Sequence, residues 1–141
     1  MSMVKVTDDG LFPVSREKVW KLIEAHGANF SNIHPAVKST KPLNKEANMI
    51  EQQVEMNGQL VRRVVKLTPN SPEKLTIEFL EGPMTGKMVN TYTEVPGGTK
   101  VVTECDVKSQ MMDDKQLEAA TKESLEEAFN EDLRYLNTRM K

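Results

Sequence analysis

Apolar residues recur at two different spacings along the chain, and the change between them marks where helices give way to strands. The first segment, Met3 to Phe12, is predicted to be a short strand. Within FPVSREKVWKLIEAHG, apolar residues at helical spacing predict a helix with Ser15 as N-cap and Gly27 as its end. The next segment, ANFSNIHPAV, is predicted to be a second short helix or a turn closed by Pro35, because a residue before proline is disfavoured in the α region.

From Val37 to Lys108 the pattern becomes strand-like. Turn-rich segments interrupt it at KPLNKEAN, MNGQ, TPNSPEK, EGPMTG and VPGG, which indicates about six strands. Their consecutive order and short connections predict an antiparallel meander, since parallel strands need long crossovers. In three strands the alternation predicts which residues point inward: Ile50, Val54 and Met56; Leu75, Ile77 and Phe79; Val101, Thr103, Cys105 and Val107.

A long helix is predicted from Asp113 to Lys141. Asp113 and Asp114 supply capping oxygens and negative charge at its positive end. No glycine or proline interrupts the segment, which would measure roughly 40 Å at 1.5 Å per residue. Its opposite face is charged and is predicted to be solvated. Apolar residues recur at spacings of three to five: Leu117, Ala120, Leu125, Ala128, Phe129, Leu133, Leu136 and Met140.

Length and charge narrow the class of protein. The 141 residues fit one domain, 1–141, around a single core. The net charge is −2 and the pI is about 5.8, with both signs interspersed, so we predict no nucleic-acid partner. The N-terminal residues lack the apolar core of a signal peptide, and no apolar run reaches the ~20 residues needed to span a bilayer. We therefore expect a cytoplasmic protein without integral membrane association, either a monomer or a weak homodimer.

Few residues are suited to covalent or metal chemistry. One cysteine, Cys105, excludes an internal disulfide and is predicted to be a small buried apolar residue. Two histidines beside a single thiol match no zinc motif, so neither a metal nor a cofactor is predicted.

Several quoted segments together resemble a known superfamily. The segments FPVSREKVWKLI, HPAVKST, RRVVKLTP, KLTIEFLEGPM and NTYTEVPGGTKV, followed by the long last helix, resemble the SRPBCC superfamily, also called START or birch-pollen-allergen-like. They are most similar to its bacterial polyketide cyclase/dehydrase type, over nearly the whole chain. The resemblance implies an α+β helix-grip fold, β-α-α-β6-α. In that fold a curved antiparallel sheet of about seven strands wraps around the C-terminal helix and leaves an internal apolar cavity. Members bind or transform lipids, hormones and polyketides.

The loop EGPMTG matches a position that is functional in some members. In those resembling the abscisic acid receptors this connection is a gate over the cavity mouth, and Met84 would be its apolar plug. The receptors' distinct gate and latch motifs are absent, since NGQL and EGPM stand in their places. Hormone-receptor function is therefore not implied. A wide turn with Met84 packed beneath it is the alternative, and the nine methionines suit either an irregular core or an adaptable pocket.

His34 and Tyr92 are candidates for chemistry, whereas His26 has a simpler interpretation. His34 would serve as a general base or a ligand hydrogen-bond partner, although no partner stands at a revealing spacing, and a packed or surface histidine is the alternative. His26, beside Gly27, is expected to interact with a helix C-terminus. Tyr92 would offer its hydroxyl either to a ligand or to a buried backbone carbonyl.

Arg62 and Arg63 are adjacent in a predicted strand, so their side chains point to opposite faces. One of them is expected to face the cavity, where a guanidinium needs a counter-charge or an anionic ligand group. A bulge or an exposed rim position would also accommodate the charge. Alternation does not choose between two sets: Val61, Arg63, Val65 and Leu67, or Leu60, Arg62 and Val64.

Three functions follow in order of preference. The first is binding or carriage of a small hydrophobic molecule, with lipid-, polyketide- or hormone-like character, in the cavity. The second is a polyketide cyclase/dehydratase-type enzyme using His34, Tyr92 or an interior Arg. The third is an interaction protein that docks a partner through the long helix or a sheet edge. The predicted ligand-binding residues are His34, Val54, Met56, Arg62, Arg63, Ile77, Phe79, Met84, Met88, Tyr92, Phe129 and Leu133.

Overall fold

One antiparallel sheet of seven strands forms the framework of the molecule. The computed structural model describes residues 3–140. The sheet order is β1-β7-β6-β5-β4-β3-β2, which confirms the predicted meander and places β1 beside β7. The elements in chain order are β1 Val4–Phe12, α1 Arg16–Ile33, β2 Val37–Asn44, β3 Met49–Met56, β4 Gln59–Asn70, β5 Lys74–Glu81, β6 Thr85–Val95, β7 Gly98–Lys108 and α2 Asp114–Arg139.

The connection from β5 into β6 needs two glycines, Gly82 in the loop and Gly86 at the start of β6. Gly82 and Gly86 each have φ of 138°, a region that side chains rarely adopt. A Cβ on Gly86 would also lie 2.1 Å from the carbonyl oxygen of Asp106. The glycines therefore let β6 leave the loop and come directly against β7.

Helix α1 begins where the sequence predicts and ends later. The Ser15 side chain accepts a hydrogen bond from the Lys18 amide at 3.2 Å, which confirms the N-cap. The break between the two predicted helices lies at Asn29 (φ −127°, ψ 23°), two residues after the predicted end at Gly27, and the second helical stretch then continues to Ile33, as predicted for ANFSNIHPAV. The Asn29 side-chain amide donates to the carbonyl of Ala25 at 3.1 Å, so an asparagine rather than the glycine forms the break between the two helical stretches.

Helix α2 is anchored at its start by Asp113. This residue and Gln116 form a reciprocal capping box, which confirms the predicted N-terminus. Lys141, to which the predicted helix extends, lies outside the described residues. The helix approaches β1 closely at Gly10, where an added Cβ would lie 2.7 Å from the ring of Phe129. Neither helix of the described chain is long and apolar enough to cross a bilayer.

Most of the buried apolar side chains form two clusters rather than one. The first joins α1, β6, β7 and the C-terminal half of α2, and the second joins β1, β7 and the N-terminal half of α2. The first contains Phe12, Val19, Trp20, Leu22, Ile33, Tyr92, Val101 and Leu136. The second contains Val4, Val6, Cys105, Val107, Leu117 and Leu125. Strands β3 and β4 contribute to neither cluster.

Strand β2 forms one border of the sheet. All of its residues except Val37 are exposed. Its pairing with β3 shifts register twice, between Val37 and Ser39 and again between Pro42 and Asn44. This border is therefore short, irregular and polar.

Candidate ligand-binding site

The strand register defines which side of the sheet faces the helices. Paired residues in antiparallel strands share a face. Pairing leads from Val6 through Cys105 and Met88 to Ile77, and Val6 and Cys105 pack with α2 in the second cluster. We call this side the inner face. The inward sets predicted from alternation lie on it, as does Tyr92, which pairs with Val101.

The structure separates the predicted ligand-binding residues into groups. Met84 and Met88 pack against the second cluster, whereas Tyr92, Phe129 and Leu133 belong to or pack against the first. Phe129 contacts Phe12, with ring centroids 4.8 Å apart. The rest of the inner-face set lies outside both clusters: Val54, Met56, Arg63, Ile77 and Phe79.

Arg63 is the arginine on the inner face. It pairs with Gln52, and its Nε donates to Gln52 Oε1 at 2.8 Å. Its guanidinium carbon lies 6.0 Å from the centroid of the Phe79 ring. No carboxylate among residues 3–140 lies within ion-pair distance of it. The charge of Arg63 is thus held by an amide and an aromatic ring rather than by an acid.

The terminal nitrogens of Arg63 remain available. Every fully buried side-chain nitrogen and oxygen in the described part of the chain has a hydrogen-bond partner. Because the Nη atoms have none, they must reach solvent-accessible space. Burial lowers the pKa of Arg63 to about 10, which still leaves the guanidinium charged at neutral pH.

Arg62 lies on the opposite face, where two acidic side chains pair with it. Its side chain is 46% exposed and forms ion pairs with Glu51 at 2.6 Å and Glu81 at 3.1 Å. The hydrogen bonds that Arg62 donates to Glu51 and Glu81 raise the pKa of Arg62, so both acids stabilise its charge. The register therefore resolves the choice that alternation left open.

Gln52 is a polar inner-face residue that was not predicted from the sequence. It is fully buried and donates to Thr40 Oγ1 at 3.2 Å while accepting from Arg63. The sequence does contain a sign of it. In the alternating pattern of β3, the polar Gln52 occupies an inward position between Ile50 and Val54. A second polar contact on this face joins β7 to β6, where the Thr103 hydroxyl donates to Asn90 Oδ1 at 2.6 Å.

The loop that contains Met84 is tied to α2 and to the segment before it. Met84 is half-buried, and the Thr121 hydroxyl of α2 lies 3.8 Å from its sulfur. Ser109 donates to the carbonyl of Pro83 at 2.7 Å. Met84 is therefore packed between sheet and helix at one end of the inner face. The gate role stays a prediction.

Two open depressions lie away from the inner face. One of about 440 Å³ lies between the β1–α1 connection and the β6–β7 turn. Another of about 370 Å³ follows the acidic outer side of α2, from Glu123 to Arg134. Neither includes Met84 or Arg63. The enclosed cavity near residue 84 therefore stays a prediction.

His34 belongs to a cluster of imidazole and carboxylate groups where α1 meets α2. Its Nδ1 lies 2.8 Å from Glu131 Oε1, and its Nε2 lies 3.1 Å from Asp132 Oδ1. His26 joins the cluster, with its Nε2 3.1 Å from both the His34 Nε2 and the same Asp132 oxygen. His26 lies three residues before the break at Asn29, and its Nδ1 is 2.8 Å from the carbonyl oxygen of Leu22. The contact between His26 and Asp132 was not predicted, because 106 residues separate them in the sequence.

Electrostatics in this cluster favours the charged forms. Burial, the largest single influence, lowers the pKa of His34, but Asp132 and then Glu131 raise it above the ordinary value overall. Burial would raise the pKa of Asp132, yet the two histidines lower it overall. Burial and then the charge of Asp132 raise the pKa of Tyr92. Its hydroxyl has no hydrogen-bond partner among the described residues and, like the Arg63 Nη atoms, reaches accessible space.

Cys105 has the character expected of an inert thiol. It is buried in the second cluster, and burial followed by the charge of Asp106 raises its pKa to about 11.

Comparison with protein families identifies the chain. The family described as polyketide cyclase / dehydrase and lipid transport matches residues 3–141. The chain belongs to this family. Membership in the polyketide cyclase/dehydrase and lipid transport family confirms the SRPBCC resemblance stated above. A search of curated proteins finds no matching sequence.

Solved structures share the architecture of this family member at low sequence identity. The Zhui aromatase/cyclase of a Streptomyces species matches with a TM-score of 0.79 and 12% identity, covering 99% of this chain and 96% of that one. The TTHA0849 protein of Thermus thermophilus gives 0.78 and 14%, covering 92% and 94%. A START superfamily protein of Mycobacterium smegmatis gives 0.71 and 15%, covering 94% of each. The chain thus has the helix-grip fold.

Proposed function

We propose that this protein binds or carries a small hydrophobic molecule that bears a carboxylate or similar anionic group. The anionic group pairs with Arg63, and the apolar part lies along the inner face of β3 to β5. The single observation that carries the proposal is the half-buried Arg63 guanidinium with accessible Nη atoms and no acidic partner among the described residues.

The state of Arg63 supports an anionic partner. A charged group removed from water is costly unless another charge or several hydrogen bonds compensate it. In Arg63 only the Nε has a hydrogen-bond partner, and burial alone accounts for the lowered pKa. A planar guanidinium with two free Nη groups matches the two oxygens of a carboxylate. A ligand carboxylate would therefore complete the pairing.

The apolar surroundings support a hydrocarbon part in the ligand. Val54 and Ile77 are only half-buried and lie outside both core clusters, although they point inward. Met88, on the same face, has a flexible thioether that adapts to differently shaped partners. Family membership is consistent with a hydrophobic ligand.

Decanoate and 1-decanol have alkyl groups of similar length, but only decanoate carries a negative charge. Comparing their binding therefore separates the contribution of the charge from that of the alkyl group. We expect Arg63→Met to weaken decanoate binding by about 10- to 100-fold. This factor corresponds to the loss of one hydrogen bond to a charged group, which contributes roughly 1.5–3 kcal/mol. Decanol affinity should change little. Isothermal titration calorimetry would measure both, and thermal shifts would report the accompanying stabilisation.

Arg62→Met is the matched control. It removes the same side chain one residue away, on the outer face, so decanoate affinity should stay at the wild-type value. Equal losses in the two variants would argue against a specific anion site. Failure of the wild-type protein to bind either compound would reject the hydrophobic carrier itself.

A cyclase/dehydratase-type reaction on the same inner face is the second candidate. The accessible hydroxyl of Tyr92 and its electrostatic coupling to Asp132, which also contacts His34, favour it. The related fold of an aromatase/cyclase adds support. This candidate requires turnover that Tyr92→Phe removes while ligand binding persists.

A further inference from the structure

His26, His34 and Asp132 converge where α1 meets α2. Their potential ligand atoms, two Nε2 nitrogens and one carboxylate oxygen, all lie within 4.8 Å of one another. The side chains are 14% to 24% exposed, so the group is largely sheltered but reachable from solvent. This arrangement is independent of Arg63 and of the ligand proposed above.

The hydrogen bonds of the two Nδ1 atoms determine where the imidazole protons lie. His26 Nδ1 is 2.8 Å from the carbonyl oxygen of Leu22, which can only accept a hydrogen bond. His34 Nδ1 is 2.8 Å from Glu131 Oε1, which accepts when ionised. Each neutral imidazole therefore carries its proton on Nδ1. Both Nε2 atoms then present lone pairs.

These lone pairs face each other and a carboxylate. Three acceptor atoms at mutual distances of 3.1 Å repel one another unless a positive charge lies among them. The charge would be either an added proton or a metal cation. Metal-bound histidines characteristically donate the other ring N–H to a carbonyl or a carboxylate, which is the role of Leu22 and Glu131 here.

The distances suit a metal ion. If an ion lay about 2.1 Å from each donor, the usual zinc–imidazole distance, the donor–ion–donor angles would be about 95°. Such angles place all three ligands on one side of the ion and leave the other side open. Two imidazoles and one carboxylate favour transition metals over Mg²⁺ or Ca²⁺, which prefer oxygen ligands.

We propose that His26, His34 and Asp132 bind a divalent transition-metal ion, with Glu131 orienting His34 and at least one coordination position open to solvent or substrate. The site joins residues 26 and 34 to residue 132 and therefore forms only in the folded chain. Metal binding would consequently stabilise the contact between α1 and α2.

Cobalt(II) is a suitable probe because its visible absorption reports coordination by nitrogen and oxygen. Tag-free protein, treated with a chelator, would be titrated with CoCl₂ and then with ZnCl₂ as competitor. We expect one Co²⁺ per chain, displaced by Zn²⁺. His34→Gln and Asp132→Asn should each weaken binding by at least about 100-fold, and Glu131→Gln by about 10- to 100-fold, the range for outer partners.

Glu127→Gln provides the control, since it removes an exposed carboxylate one helical turn from Glu131 and should leave Co²⁺ affinity unchanged. Imidazole ¹⁵N NMR of the wild-type protein is a second test, which does not depend on whether the variants fold. Zn²⁺ should shift the Nε2 signals of both histidines and leave the Nδ1 protons in place. Unshifted Nε2 signals, or undiminished Co²⁺ binding in folded Asp132→Asn, would overturn the proposal.

Discussion

Gly10 shows how one residue determines the distance between α2 and the sheet. A Cβ at this position would lie 2.7 Å from two ring carbons of Phe129, which itself packs against Phe12. The absence of a side chain thus lets an aromatic ring of the helix rest directly on β1. Phe129 thereby fixes the helix to the sheet border, and its role in lining a cavity stays a prediction.

Gly10→Ala should lower the free energy of unfolding by about 1 to 3 kcal/mol, the usual cost of overpacking a well-packed site. The methyl group would force the Phe129 ring away from Phe12. Urea denaturation at constant m-value would measure the loss.

Phe129→Leu supplies the second arm of a double-mutant cycle. In that background Gly10→Ala should cost less, because the ring that it would displace is gone. Additive effects of the two substitutions would show that the methyl group and the ring do not compete for space.

Helix α1 demonstrates at the scale of elements why glycine is a weak stop signal. Gly27 has helical neighbours on both sides, and nothing lies within 4 Å of the position its Cβ would occupy. The helical break instead falls at Asn29, whose side chain bonds to the preceding turn. A glycine commonly ends a helix by adopting positive φ itself, and Gly27 is not among the positive-φ glycines of the described residues.

Gly27→Ala should therefore stabilise the protein by about 0.5 to 1 kcal/mol, through helix propensity and a less flexible unfolded chain. Gly58→Ala is the comparison: that position is equally open, but its φ of 79° disfavours a side chain. Thermal unfolding should show opposite shifts in melting temperature. A destabilised Gly27→Ala variant would contradict the assigned helical geometry.

Elements with a local cause were predictable from the sequence, whereas the candidate site was only partly so. The helix cap at Asp113 and the alternation around Ile77 depend on neighbouring residues, and both predictions are confirmed. The choice of Arg63 over Arg62 needed the strand register, which alternation alone did not supply. The contact of His26 with Asp132 depends on how two distant helices meet, and no local pattern encodes it.

At the scale of the whole molecule, the affinity for an anionic ligand should change with pH as Arg63 gains or loses its charge. The pKa of Arg63 is lowered to about 10, so its guanidinium stays charged well above neutral pH. Because a fatty-acid carboxylate is also ionised above about pH 6, decanoate affinity should be constant from about pH 6 to about pH 9. It should fall as the pH rises through about 10, where Arg63 loses its proton.

Titration calorimetry across this range would distinguish Arg63 from a histidine as the anion partner. An affinity that already falls between about pH 6 and pH 8 would follow an imidazole losing its charge, since histidine ordinarily titrates near 6.5. That result would assign the anion to the cluster of His26 and His34.

The irregular β2 border has a consequence for how copies of this protein behave at high concentration. An open sheet offers its outermost strand as a template for pairing with another chain. Here Pro42 lacks the N–H that such pairing uses, the two register shifts disturb the row of partners, and Lys38 and Lys41 would be desolvated by an incoming strand. The β2 border therefore discourages edge-to-edge growth into fibrils.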